Sequence, residues 1–306
     1  MISRALMAIL RCPLHPNSGP LKISAVDTPA SRPNGSLNCQ RCGHVYPITD
    51  GIPDMFVANV DHESFLKAES AQWDRFSSTY DEIRISDPIY MACVEAAVEQ
   101  LRPQPHDVVL DAACGTGLTI KQYYAARPRV IAFDLSVRSL HYLRQHMQDH
   151  DIAIDYVRGD LNALPFRKES FDKVLCANAV SQLPTEALRQ HCIGEIARVA
   201  RPAARIVVTT HNFSKPKRHA GWPKERKRPG NRRGKPQYIY RLESHEFRDL
   251  LATSLVVDRV GGAGLPLPYR NPFGALSTGL ERFLRRFPTS ADWGHMLVGV
   301  CHNGKN

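Results

Sequence analysis

The sequence has no long hydrophobic run. Its 306 residues are 43% apolar, yet no stretch approaches the roughly 20 apolar residues that a membrane-spanning helix needs. The apolar stretch near the N-terminus, residues 5–10, is shorter than the ~7 to 15 apolar residues of a secretory signal. We therefore expect a folded cytoplasmic protein, long enough for one α/β domain and a small accessory module.

The cysteines lack the spacing of a disulfide framework. Cys12, Cys39 and Cys42 have a spacing typical of metal ligands. The other five are scattered through apolar stretches, namely Cys93, Cys114, Cys176, Cys192 and Cys301. This distribution favours a reducing compartment and agrees with a cytoplasmic location.

Outside one segment the sequence has almost no excess charge. The formal net charge is +10, but residues 215–235 hold ten Lys or Arg and one Glu, a net +9, which leaves about +1 for the rest. The basic insertion 213–237 also contains Trp222, four prolines and three glycines, so we expect it not to form a core element. It is interpreted either as a cationic loop that binds the phosphates of RNA or the ribosome, or as a disordered, solubilising insertion.

The chain divides into three regions by composition. Residues 1–56 carry Cys, Pro and Gly without helical periodicity, residues 57–106 are expected to form a helical lead-in and cofactor lid, and residues 107–306 alternate strands and helices. Seven β-prone runs are recognised, at 108–110, 130–133, 152–157, 173–176, 205–210, 255–260 and 296–300. Four helices are expected among them: one that follows an N-cap at Ser136 and carries Leu140, Leu143 and Met147 on one face, and three at 184–199, 244–251 and 274–287. Repeated strand and helix predict a parallel, doubly wound sheet.

A glycine-containing turn follows the first of these strands. The strand ends at Asp111, and Gly115 and Gly117 follow where a backbone must approach a ligand closely. A dinucleotide fingerprint requires a third glycine, but Ile120 occupies that position. Asp111 would also repel a pyrophosphate, whereas the ammonium and sulfonium of S-adenosylmethionine (SAM) are cations. The turn therefore favours SAM over NAD.

Further candidate ligands follow the next three strands. Asp134, 19 residues after Gly115, can accept both hydroxyls of a ribose. Asp160 is placed to meet the adenine amino group while Leu161 packs on the ring, and Asn178 ends the series. Each acid alone could be a helix cap or a solvated turn. Their order after successive strands favours one ligand site.

These motifs resemble those of class I SAM-dependent methyltransferases, especially the branch of ubiquinone and menaquinone biosynthesis enzymes. The resemblance covers about residues 65–302 and is carried by DAACGTG (111–117), FDLS (133–136), RGDLNALPF (158–166) and FDKVLCANAVSQL (171–183). Trp73-Asp74 and Tyr80-Asp81 are similar to the family's helix before the first strand, where Tyr80 would cover the cofactor. Ala113 stands where the commoner pattern has a glycine. The resemblance implies a Rossmann-like, seven-stranded sheet whose last strand is antiparallel.

The N-terminal region carries two pairs of candidate metal ligands. Cys12 and His15, then Cys39 and Cys42, each have a two-residue gap, and about 24 residues separate the pairs. This spacing suits a tetrahedral zinc site that would stabilise a small module. His44 is an alternative ligand or a surface histidine.

The sequence of this region also resembles a known group of zinc-ribbon proteins. AILRCPLH (8–15) and LNCQRCGHVYPITDGIPDMF (37–56) are similar to small proteins that bind and activate tRNA, rRNA and release-factor methyltransferases. They are less similar to the zinc module of rRNA guanine methyltransferases. His15 departs from the cysteine that is usual at its position.

The catalytic requirement is small. Methyl transfer from a sulfonium is an in-line displacement, so alignment and desolvation can supply most of the acceleration. Where an acceptor must be deprotonated, His211, after the fifth strand, is the candidate base, and a hydrogen-bonded loop histidine is the alternative.

Three functions remain open at this point. The basic segment and the ribbon favour a methyltransferase acting on RNA or a ribosome-linked acceptor. The resemblance of the core favours a small-molecule acceptor, such as a quinone-like, lipid or natural-product precursor. A non-catalytic SAM-binding assembly factor is the third.

Overall fold

The computed structural model describes residues 2–25, 34–57, 63–227, 238–267 and 274–304. The N-terminal module begins with helix α1 (Arg4–Ile9), which sequence periodicity did not predict. Ser3 caps this helix, because its Oγ accepts a hydrogen bond from the Leu6 amide at 2.9 Å. Four antiparallel strands follow: β1 (Lys22–Ala25), β2 (Gly35–Asn38), β3 (Val45–Thr49) and β4 (Ile52–Pro53).

Two helices lead from this module to the central sheet, as predicted. They are α2 (Glu63–Ile85) and α3 (Pro88–Leu101). Asp87 caps α3 by accepting hydrogen bonds from the Ile89 and Tyr90 amides, both at 3.1 Å. None of the helices in the described ranges combines the length and the apolarity needed to cross a bilayer.

The central sheet has seven strands, and the predicted architecture is confirmed. Its parallel part consists of β5 (Val108–Ala112), β6 (Arg129–Asp134), β7 (Ile154–Arg158), β8 (Phe171–Ala177) and β9 (Ala200–His211). A short hairpin of β10 (Glu225–Lys227) and β11 (Tyr238–Tyr240) precedes the last two strands, β12 (Val256–Ala263) and β13 (Met296–His302). The order is β12-β13-β9-β8-β5-β6-β7, with β13 antiparallel to both neighbours.

Helices cover both faces of this sheet. The remaining ones are α4 (Ile120–Tyr123), α5 (Val137–Met147), α6 (Glu186–Val199), α7 (Lys215–His219), α8 (Ser244–Ala252), α9 (Gly274–Leu284) and α10 (Ser290–Trp293). Alternate strand residues face opposite cores: Val109 packs with α3 and α5, and Leu110 packs in the core that contains α6 and α8.

The N-terminal module shares a core with the sheet. The connection from β7 to β8 contains no helix, and Leu6, Leu10 and Met55 cover the sheet face there, in the same cluster as Phe133 and Phe166. This arrangement makes the module part of the hydrophobic core.

Hydrogen bonds join the module to the free edge of β7. Asp54 pairs in parallel with Arg158, and the Met55 amide donates to the Arg158 carbonyl at 2.8 Å. The Arg158 guanidinium also donates to the Asp54 carboxylate at 2.5 Å. The module therefore closes one edge of the central sheet.

The basic insertion is more ordered than the sequence indicated. Residues 215–227 contain the short elements α7 and β10, so the alternative of a disordered insertion is wrong for this part, whereas neither element contributes to the two hydrophobic clusters, as expected. Lys217 is only 7% exposed, because its ammonium donates to the carbonyls of Asn212 (2.9 Å) and His295 (2.6 Å). Residues 228–237, the other part of that expectation, lie outside the described residues.

Candidate cofactor and acceptor site

The turn after β5 has the left-handed backbone that a glycine-rich loop requires. Ala113, Gly115 and Gly117 have φ angles of 66°, 54° and 78°. A Cβ at Gly117 would lie 2.2 Å from a methyl carbon of Leu143, so this glycine permits packing against α5. A Cβ at Gly115 would meet nothing within 4 Å, and this residue lines a cavity. Of these two glycines, Gly115 is therefore the one with open space beside its backbone in the cavity.

Asp134 connects this turn to the end of β6. One carboxylate oxygen accepts a hydrogen bond from the Gly115 amide at 2.7 Å, and the other accepts one from the Ser136 amide at 2.8 Å. Burial raises the pKa of Asp134 to about 6, although both amide donors oppose the shift. The side chain lines the cavity, and each oxygen keeps a lone pair for a hydroxyl.

Asp160, Leu161 and Asn178 line the same cavity, as their positions after β7 and β8 predicted. Asp160 accepts a hydrogen bond from the Asn162 amide at 3.0 Å. Asn178 has a φ of 60°, and the buried Oδ1 of its side chain has no hydrogen-bond partner. A buried, unsatisfied acceptor at the carboxyl ends of the parallel strands fits a site completed by a ligand.

Asp111 lies behind the turn and is not among the cavity-lining residues. It is fully buried and accepts hydrogen bonds from the hydroxyls of Thr119 (2.6 Å) and Tyr123 (3.4 Å). Burial raises its pKa to about 7, and its Oδ1 has no partner. In this position Asp111 is bonded to the residues that follow the turn, Thr119 and Tyr123.

Helices α2 and α3 form the roof of the cavity. Tyr80 lies in it as predicted, with its hydroxyl 2.8 Å from that of Tyr90 and its ring edge-on to Trp73 at 5.7 Å. Sequence reasoning missed several lining residues, for which the apolar positions of the two helices were the available signal. They are Phe65, Leu66, Tyr90, Cys93, Val94 and Ala97.

Polar contacts fix the roof to the glycine turn. Asp81 of α2 accepts hydrogen bonds from the Thr116 hydroxyl and from the Lys121 ammonium, the latter at 2.5 Å. Asp74, about two turns earlier, accepts a hydrogen bond from the Ser136 hydroxyl at 2.6 Å. Because both acids lie on α2, the helix is held over the loops that follow β5 and β6.

His211, the predicted base, is the last residue of β9 and is not among the cavity-lining residues. Its Nδ1 lies 2.8 Å from the Ser181 hydroxyl. Burial and the neighbouring His295 and Lys217 lower the pKa of His211 well below its usual value. The ring is therefore neutral at pH 7 and a weak base.

The four predicted metal ligands meet in the N-terminal module. The ligand atoms of Cys12, His15, Cys39 and Cys42 all lie within 4.8 Å of one another. The Cys12 sulfur is 3.9 Å from that of Cys42 and 3.8 Å from Nδ1 of His15. Ligands at ~2.0 to 2.3 Å from a tetrahedral zinc are separated by about 3.5 to 3.8 Å, so this donor set fits zinc. His44 packs on Tyr46 instead, with ring centroids 4.5 Å apart.

Two family models match the chain. Residues 109–203 match the model described as a methyltransferase domain, and residues 3–51 match that of Trm112p-like proteins. The malonyl-[acyl-carrier protein] O-methyltransferase of Erwinia pyrifoliae is 34% identical over 147 residues, 47% of this chain and 51% of the relative. The demethylmenaquinone methyltransferase of Renibacterium salmoninarum is 34% identical over 121 residues, 39% and 46% of the two chains. The chain thus spans about half the length of these curated relatives.

Solved structures share the fold at low sequence identity. The complex of the Haloferax volcanii Trm112 methyltransferase activator with a methyltransferase superposes with a TM-score of 0.53 at 16% identity, over 76% of this chain and 98% of that one. The N-methyltransferase NodS of Bradyrhizobium japonicum, bound to S-adenosyl-L-homocysteine (SAH), gives 0.54 at 12% identity, over 78% and 99%.

The seven-stranded sheet and the glycine turn agree with the match of residues 109–203 to the methyltransferase domain model. In this chain a Trm112p-like module precedes that domain and shares its core. Both resemblances drawn from the sequence are confirmed.

Proposed function

We propose that this protein transfers the methyl group of SAM to a small-molecule acceptor. The observation that carries the proposal is the cavity itself, which is roofed by α2 and α3 and extends from Asp134 to Asn178 and Tyr90. The roof excludes water from the reacting atoms and leaves space for a compact acceptor beside the donor. The curated relatives include enzymes named for a quinone precursor and for a malonyl carrier.

The site residues have distinct roles in this proposal. Asp134 accepts the ribose hydroxyls, Leu161 packs on the adenine and Asp160 accepts its amino group. Gly115 offers its backbone to the methionine portion, and Asp111 balances the ammonium and sulfonium charges from behind the turn. SAM supplies an activated methyl group, so the chain has to align and desolvate the two reactants.

As a weak base, His211 can serve only an acceptor whose proton is already acidic. We propose it for that case alone, with its ring oriented by the hydrogen bond between its Nδ1 and the Ser181 hydroxyl. We also infer a division of roles along the chain: residues 1–56 cap the sheet, residues 57–106 form the roof, and residues 107–306 bind the donor.

RNA is the second candidate acceptor. The described part of the basic insertion argues against it, because its basic side chains already have partners. Four of its basic side chains form ion pairs with acidic residues, namely Lys215 with Asp292, Arg218 with Glu243, Lys224 with Glu246 and Lys227 with Glu225. Lys217 is buried. The charge that keeps RNA a candidate is on Arg228, Arg232, Arg233 and Lys235, which lie outside the described residues.

Transfer of a labelled methyl group distinguishes the candidates. The protein is incubated with methyl-labelled SAM and with cell extract separated into RNA, protein and metabolite fractions, and an Asp134→Ala variant serves as the inactive control. We expect label in the metabolite fraction. Label in RNA, reduced when Arg226, Lys227, Arg228, Arg232 and Arg233 are neutralised together, would establish the RNA candidate instead. SAH binding by calorimetry without label in any fraction would indicate a non-catalytic assembly factor.

A further inference from the structure

An arginine packs on two tyrosines of the cavity wall, although it is not itself among the cavity-lining residues. The guanidinium carbon of Arg84, in the last turn of α2, is 4.5 Å from the ring centroid of Tyr90 and 5.1 Å from that of Tyr80. Both tyrosines line the cavity, and Asn178 lies beside them in its wall. A guanidinium on two aromatic faces is favourable and holds the fork of N–H groups in one orientation.

Arg84 has no anionic partner among the residues that the structure describes. Its buried Nε has no hydrogen-bond acceptor, and no described carboxylate lies within ion-pairing distance. Asp87 is the acid that acts on it electrostatically, but this carboxylate caps α3. A half-buried arginine with an unsatisfied N–H is destabilising unless a ligand completes its shell.

Two more cations lie in the same region. Lys217 donates its ammonium hydrogens to two backbone carbonyls, and Arg241, 3% exposed, stacks on Trp222 at 5.1 Å. Burial, with a smaller effect of Arg241, lowers the pKa of Lys217 to about 7.

The pKa of His295 is lowered by all three of these groups, as is that of His211. Burial first, then the charges of Lys217, Arg84 and Arg241, lower the pKa of His295 to about 4, against the opposing effect of Asp87. The other nearby acid is Glu281, whose carboxylate accepts a hydrogen bond from the Gly264 amide at 2.7 Å. We call Arg84, Lys217 and Arg241 the cationic wall.

We propose that the methyl acceptor carries a carboxylate or phosphate group, and that Arg84 binds this group beside Tyr80, Tyr90 and Asn178. The inference rests on the proposed small-molecule function and specifies the class of the acceptor. Arg84 supplies the bidentate N–H donors that suit either anion, and Lys217 and Arg241 add positive potential around them. An acceptor bound at this position lies in the same cavity as the donor.

Small anions test the proposal directly on the SAH-loaded protein. Binding of inorganic phosphate and of malonate is measured by NMR titration or calorimetry, with malonamide as the neutral counterpart of malonate. We expect at least one anion to bind and malonamide not to. Arg84→Gln should weaken the binding about tenfold or more, whereas Arg75→Gln, an exposed position on the same helix, should leave it unchanged.

The two anions distinguish a carboxylate from a phosphate. Arg84→Lys, which keeps the charge but loses the fork, should give an intermediate affinity and serves if Arg84→Gln fails to fold. Equal binding of malonate and malonamide, or unchanged anion binding in both Arg84 variants, would overturn the inference. So would a wild type that binds SAH but neither anion. A wild type that does not bind SAH would instead overturn the proposed function.

Discussion

Folding and cofactor binding favour opposite protonation states of Asp134. Its carboxylate holds the Gly115 amide of the turn and, in our proposal, accepts the ribose hydroxyls of SAM. Burial raises its pKa to about 6, above the ~3.9 of an unfolded aspartate. Its contribution to folding is therefore complete below about pH 4 and is lost as the pH rises through 6. Cofactor binding has the opposite dependence, because it requires the ionised acceptor.

We expect the affinity for SAH to fall as the pH decreases from 8 to 5. Below the pKa of about 6 the decrease should approach tenfold per pH unit, since each binding event must release the proton of Asp134. Isothermal calorimetry across this range, in buffers of constant ionic strength, measures it. At pH 8, Asp134→Asn should weaken binding about tenfold or more and remove most of the pH dependence.

An exposed acid provides the control for this experiment. Asp149, just beyond α5, lies on the surface, and Asp149→Asn should change neither the affinity nor its pH profile. An affinity that is constant from pH 5 to 8 in the wild type would contradict the role given to Asp134.

Ala113 occupies a backbone conformation that suits glycine. Its φ of 66° is fixed because its amide donates to the Phe133 carbonyl at 2.8 Å. The left-handed conformation costs an L-residue roughly 1 to 2 kcal/mol, and the greater freedom of an unfolded glycine offsets about 0.4 to 1 kcal/mol of that. Ala113→Gly should therefore increase the free energy of unfolding by about 0.5 to 1 kcal/mol, measured by urea denaturation.

A second alanine tests whether the backbone conformation is the cause. Ala125, an exposed residue of the short 3-10 helix after α4, has no positive φ, so Ala125→Gly should be destabilising. Destabilisation by Ala113→Gly as well would show that the alanine methyl group stabilises the turn by packing.

At the scale of elements, the sequence pattern located the seven strands of the central sheet and the helices α5, α6, α8 and α9, but not α7, α10 or the hairpin of β10 and β11. The run predicted at 205–210 lies within β9, and Ser136 begins α5 as expected. Helix α1 was missed because six residues show too little periodicity, and its stability comes from packing Leu6 and Leu10 on the sheet. Tertiary contacts also bury Lys217. One of the two carbonyls that accept its hydrogen bonds belongs to His295, 78 residues further along the chain.

The candidate site was also predicted only in part. Residues at strand ends could be located from the sequence because a parallel sheet brings the carboxyl ends together, and Asp134, Asp160 and Asn178 do line one cavity. The residues of the roof could not be located from the sequence. The faces of α2 and α3 that meet the cavity are set by the contacts through which Asp81 and Asp74 hold α2 in place. Asp111 was expected beside the ligand and lies behind the turn.

The four-residue metal cluster is the element on which the N-terminal module depends. We expect about one zinc per chain by elemental analysis, and Cys39→Ser combined with Cys42→Ser should abolish it. His15→Ala should weaken retention of the metal, whereas His44→Ala should not, because His44 is not part of the cluster. Equal zinc loss in the two histidine variants would mean that His44 takes part in coordination.

At the scale of the whole molecule, the N-terminal module that carries the metal cluster is connected to the cavity wall through β7. Met55 hydrogen-bonds to Arg158, and the next residues are Gly159, Asp160 and Leu161 of the cavity wall. A Cβ at Gly159 would lie 2.8 Å from Phe133, which packs in the core shared with the module. A disordered module would therefore loosen the adenine side of the cavity.

Removal of the metal should accordingly weaken SAH binding. We expect chelator-treated protein to bind SAH several-fold more weakly than zinc-loaded protein, and added zinc to restore the affinity, measured by calorimetry at pH 8. As the control, Asp134→Asn should retain its zinc, because Asp134 is not one of the residues of the metal cluster. Unchanged SAH affinity in metal-free protein would show that the module caps the sheet without supporting the cavity.

Dilution of the protein does not separate the N-terminal module from the sheet. Because both partners belong to one chain, their association is intramolecular, with an effective concentration on the order of millimolar for a short tether. The cap on β7 therefore stays in place at any protein concentration.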